Sequence, residues 1–132
     1  MSITPNPEQF QKLAQAPDNG PVVMLNLLKF KDRAEGESGS GEEAYGRYAE
    51  AVSKMLETRG ARMVWAGRPR QVLIGGAADE WDIVALVEYP SRKAFIEMVS
   101  SVEYQKIHIH REAGLERTVL LACEAAPVVQ LG

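Results

Sequence analysis

The segment Val22-Val-Met-Leu-Asn-Leu-Leu-Lys-Phe30 holds one charge in nine residues, and as a strand it would be apolar on both faces. Side chains alternate along a strand, so Met24, Leu28 and Phe30 fall on one side and Val23, Leu25 and Leu27 on the other. A second segment, Trp81-Asp-Ile-Val-Ala-Leu-Val-Glu-Tyr89, divides the same way into Ile83/Ala85/Val87 and Val84/Leu86. A sheet built from these strands needs cover on both of its faces.

The segments around them set the order of elements. Asn6-Pro7-Glu8-Gln9 combines a capping residue, a proline at the first helical position and a glutamine at the third, with Phe10, Leu13 and Ala14 spaced along one face. This predicts a short N-terminal helix before Pro17, with residues 1–20 forming that helix and a turn. Ser40-Gly-Glu-Glu43 has capping-box spacing and opens a helix whose stripe is Tyr45, Tyr48, Ala49, Val52 and Leu56, ended by Gly60. Residues 61–75 read as an edge strand interrupted at Gly67-Arg-Pro69, because proline cannot donate to a ladder. After the strand from Trp81, Ser91 begins one helix and Ser101 a second, which stops at Gly114; residues 117–123 form the last strand. Residues 124–132 are left as a C-terminal tail, either a short extra strand or an arm.

Strand, helix, strand, strand, helix, strand is the split βαβ order of an α+β ferredoxin-like fold, here with an extra N-terminal helix on a single 132-residue domain. Such a sheet carries helices on one face only. The other face would leave an apolar patch beyond what monomers expose, so the expectation is a two-fold homodimer, two sheets packed into a dimeric α/β barrel.

Composition narrows the function classes. The lone Cys123 excludes an intrachain disulfide and a finger-type metal framework. A net charge of −3 with both signs interspersed lacks the footprint of a nucleic-acid binder. No apolar run reaches the ~20 residues of a membrane span, and the N-terminal residues have no signal-peptide pattern, so a cytoplasmic location is expected.

The stretches Val22–Phe30, Trp81-Asp-Ile-Val-Ala-Leu-Val-Glu-Tyr-Pro-Ser91 and Ser101-Val-Glu-Tyr-Gln105, followed by His110-Arg111, resemble a bacterial family catalogued as a domain of unknown function within the dimeric α/β barrel superfamily. The resemblance covers the chain from about Val22 to Cys123. It implies fold and dimerisation; the family has no agreed reaction.

Several residues are candidates for a site. Gly36-Glu-Ser-Gly-Ser-Gly41 sits between a strand and a helix like a phosphate loop, but it has no lysine, and Glu42 and Glu43 would repel phosphate. His108 and His110 are two apart; on a helix they point about 200° away from each other, so no shared metal is expected, while His108 and Glu112 at i and i+4 can meet. Tyr104, His108 and Arg111 share one helical face and could bind an anionic or enolate-like substrate. Asn26, at the centre of an apolar strand, needs partners: a neighbouring side chain, a water, or a ligand in a cavity between sheet and helices, with Tyr48, Trp65 and Trp81 as walls.

The superfamily resemblance adds one further implication. Its cofactor-free and haem-degrading monooxygenases use an asparagine of the first strand, a tryptophan and a histidine of the second helical region, types that Asn26, Trp65 or Trp81, and His108 match without a shared spacing. Two readings stay open. One is a cofactor-free small-molecule enzyme or binding barrel acting through Asn26, His108 and Arg111, with Tyr48, Trp65, Trp81 and Tyr104 about the ligand. The other is a non-catalytic homodimeric module whose polar residues are structural.

Overall fold

The computed structural model describes residues 4–18 and 20–125. The order along the chain is α1 (Pro7–Gln15), β1 (Val22–Phe30), α2 (Gly41–Thr58), β2 (Arg62–Gly67), β3 (Ile83–Tyr89), α3 (Arg92–Val99), α4 (Val102–Gly114) and β4 (Leu115–Cys123). The strands form one antiparallel sheet in the order β2-β3-β1-β4. This is the ferredoxin-like α+β fold expected from the element order.

The helix starts follow their capping chemistry. Asn6 accepts from the N–H of Gln9, and Ser40 from that of Glu43, with the N3 side chain returning the bond in both cases. Ser91 and Ser101 cap α3 and α4 by accepting from Ala94 and Tyr104. The α2 helix stops before Gly60, whose φ of 71° is a left-handed value that glycine adopts at least cost.

Strand boundaries depart from expectation in three places. β2 ends at Gly67 and does not resume after Pro69. Trp81 lies outside β3, because the Asp82 carboxylate accepts the Phe30 N–H at 2.8 Å and closes the ladder there. β4 starts at Leu115, directly after α4. The tail read as an extra strand or arm lies outside the described residues from 126 onward.

The helices cover one face of the sheet. Val22, Met24, Val87 and Tyr89 from the strands pack there against Tyr48, Val52, Phe95, Met98 and Tyr104. The opposite face carries a row of four large apolar side chains set by register: Trp65 beside Leu86, Leu86 beside Leu25, Leu25 beside Leu121. Trp65 is 56% exposed and Leu121 50%. Cys123 lies on that face too, a free thiol paired in register with Val23. Among the described residues no helix is long and apolar enough to cross a membrane.

Candidate functional site

Cross-strand register explains why a cavity opens on the helical face. The row that contains Asn26 reads Ala66, Ala85, Asn26, Leu120 across the four strands, so two of its four members are alanines. Small side chains at the centre of the sheet leave space beneath α2 and α4, and a cavity of about 1320 Å³ lies there. Asn26 forms part of its floor. The Asn26 amide nitrogen donates to the carbonyls of Met24 at 3.2 Å and Ala85 at 3.4 Å, so main-chain acceptors hold its donor group.

The cavity roof comes from α2 and α4. These helices approach closely where Gly41 meets Gly114: a Cβ at Gly41 would stand 2.6 Å from the Gly114 carbonyl oxygen. Their contact sets Tyr48 against Tyr104, with hydroxyl oxygens 2.9 Å apart and rings edge to face. The pair belongs to an aromatic row running from Phe30 through Tyr45, Tyr48 and Tyr104 to His108, with successive centroids 5.2 to 6.0 Å apart. Burial pushes the Tyr45 phenol up to about 12, opposed in part by the charge of Arg111. It also pushes the Tyr48 phenol well up, again against Arg111.

Arg111 is 7% exposed and lines the same cavity as Tyr104 and His108, as their common helical face required. His108 Nδ1 lies 2.7 Å from the Glu112 carboxylate, the pair that the i, i+4 spacing allowed. His110 takes no part in the cavity. Its Nδ1 meets both Glu37 oxygens, at 2.8 and 3.0 Å, while Arg47 donates to the same carboxylate at 2.9 Å. Burial raises the Glu37 pKa, but the bonds from His110 and Arg47 outweigh it and hold the carboxyl below its usual value. Among the described residues no group of three His, Cys, Asp or Glu side chains is placed to hold a metal. At the glycine-rich loop, Ser40 and Glu43 bond to each other's N–H and close the start of α2.

The two tryptophans are not brought to this cavity. Met63 pairs with Val87 but Trp65 pairs with Leu86, because Val64 is an extra residue in a β-bulge. That insertion breaks the two-residue alternation and turns Trp65 onto the face away from the helices. Trp81 is held beneath the Arg117 guanidinium, 4.1 Å from its ring centre, while Arg117 donates to the Ala78 and Glu80 carbonyls. Two sets of lining residues were not singled out from sequence. Tyr45 was legible only as a member of the α2 stripe. Phe10 and Ala14 line the cavity from α1, a helix in which no residue is buried.

The site lies in a fold shared with solved structures. The protein RPA0582 of Rhodopseudomonas palustris, of unknown function, is 34% identical over 96% of this chain and 98% of its own, with a TM-score of 0.89. At fold level only, a dimeric ferredoxin-like protein of unknown function from Bacteroides fragilis is similar at 14% identity over 80% of this chain and 96% of its own, with a TM-score of 0.55. A putative antibiotic biosynthesis monooxygenase from Caulobacter crescentus is similar at 13% identity over 82% and 92%, with a TM-score of 0.51. No curated protein matches. Residues 40–125 match the family described as a domain of unknown function, DUF1330. With that match over more than half its length and RPA0582 as a relative, the chain belongs to the DUF1330 family.

Proposed function

We propose that this protein is a homodimer whose copies pack through their outer sheet faces, and that each copy binds a small, mostly apolar molecule bearing an anionic group in its helix-side cavity. The observation that carries the ligand reading is the buried Arg111 beside the Tyr48–Tyr104 hydroxyl pair on the wall of a cavity of about 1320 Å³. Ligand pockets run to ~300–1,000 Å³, apolar with a few convergent polar groups, and this one has that character and ample room. Asn26, His108 and Arg111 are the groups offered for chemistry, with Tyr48 and Tyr104 at the ligand. A monooxygenase-like reaction is supported here by Asn26 and His108 without either tryptophan.

Pairing through the outer face is supported by the exposed row from Trp65 to Leu121 and by the Bacteroides fragilis protein being described as dimeric. One observation favours the second reading, a non-catalytic dimer. Among the described residues every buried side-chain nitrogen and oxygen already has a partner.

A thermal-shift screen of small acidic metabolites against wild type, Asn26→Leu and Arg111→Met separates the two, with each protein compared to its own unliganded melting temperature. A ligand at a hundred times its dissociation constant stabilises wild type by about 2.7 kcal/mol, and both variants should lose most of that shift. Equal shifts in all three proteins exclude the cavity as the binding site. A broad screen without a hit leaves the non-catalytic dimer.

A further inference from the structure

Resting on that ligand reading, we infer that His108 is a general base facing the cavity, oriented by Glu112, and that its substrate is an α-keto acid with an apolar tail and an exchangeable C–H. A carboxylate can only accept, so the 2.7 Å contact with Glu112 places hydrogen on His108 Nδ1. In the neutral ring the lone pair is then on Nε2. His108 lines the cavity, and its side chain is 19% exposed, so the imidazole is largely withdrawn from water.

Arg111 lies three residues further along the same helical face. Its charge opposes the rise in the Tyr45 and Tyr48 phenol pKa values, which places the cation's field over that end of the cavity. A guanidinium fork suits two adjacent oxygens, such as the keto and carboxylate oxygens of an α-keto acid. In the Tyr48–Tyr104 pair one hydroxyl hydrogen is spent between the two oxygens, and the second remains to be donated to a substrate oxygen. Met24, Val52, Phe95 and Met98 provide an apolar wall for the tail.

These groups balance a proton transfer without another reactant. The proton on the carbon next to the ketone moves to His108 Nε2. Its bonding electrons form the carbon–carbon double bond, and the carbonyl π pair moves to oxygen, giving an enolate that faces Arg111 and the free hydroxyl hydrogen. The imidazolium then returns a proton to the same carbon, so substrate and product have the same composition. In heavy water the returned proton is a deuteron. His108 is the catalytic residue and Glu112 the positioning residue.

The test uses medium-chain α-keto acids and their aryl-substituted analogues in D2O, with methyl esters as uncharged controls. Deuterium incorporation is followed by NMR and binding by calorimetry. Wild type should bind the acids in preference to the esters and accelerate exchange. His108→Gln should bind them but exchange on the order of 100-fold more slowly, the lower range of a general base's contribution. Glu112→Ala, which removes the acceptor, should slow exchange at unchanged affinity and move the His108 15N signals toward the Nε2–H tautomer. Only two histidines are present, so those signals are assignable. His110→Gln should exchange like wild type.

Acids that bind wild type without faster exchange overturn the inference and leave the ligand reading standing. Equal exchange in wild type and His108→Gln, or unmoved 15N signals in Glu112→Ala, also overturns it. If none of the acids binds wild type, this substrate class is excluded; the screen of the previous section reports separately on the ligand reading.

Discussion

Three phenols, Tyr45, Tyr48 and Tyr89, lean into the helix-side core, and burial raises the pKa of each. A phenol raised in the folded state stays neutral there while the unfolded chain ionises near pH 10, so its stabilising contribution is complete below about pH 10. Above that it fades until the folded value is passed, which for Tyr45 is about 12. Urea unfolding between pH 9 and 11.5 should therefore show stability falling by roughly 1.4 kcal/mol per pH unit for each such phenol above pH 10. Tyr45→Phe should remove one share of that slope. Parallel wild-type and variant profiles would show that Tyr45 is as solvated folded as unfolded.

At the scale of elements, the contact between Gly41 and Gly114 fixes how α2 crosses α4, and with it the meeting of Tyr48 with Tyr104. A methyl at Gly41 would run into the Lys31 and Gly114 main-chain oxygens, groups that cannot rotate away. Gly41→Ala should cost about 1–3 kcal/mol as an overpacked contact and weaken any ligand bound beneath the helices. The measurement is the urea midpoint, which should fall at constant m-value; an unchanged midpoint would mean the helices separate freely. This crossing was not legible in sequence. Gly41 reads as part of a capping box and Gly114 as a helix stop, and neither local signal says that the two must touch.

For the whole molecule, the decisive surface is the row from Trp65 through Leu86 and Leu25 to Leu121. Leu73 and Ile74, on the loop after β2, are 85% and 93% exposed. Leu121→Glu places a charge at the β4 end of the row in the proposed interface without touching the helix-side core. Light scattering at micromolar concentration should give twice the 14.5 kDa monomer for wild type and the monomer mass for the variant. A wild-type mass of 14.5 kDa would exclude the homodimer.

Local chemistry settled much of this molecule in advance. Capping residues named the helix starts at Asn6, Ser40, Ser91 and Ser101, because a cap acts within three residues. Alternation assigned the two faces of β1 and β3, and helical spacing put Tyr104, His108 and Arg111 together, because both periods belong to the backbone itself. What only the tertiary structure decided are relations between distant segments. Ala66 and Ala85, in one cross-strand row with Asn26, became a cavity floor through register. One bulge at Val64 turned Trp65 away from the helices. Arg117 from the last strand held Trp81 outside the cavity. A single-residue shift in pairing reverses the face of every side chain that follows, and nothing in a strand's own composition records it.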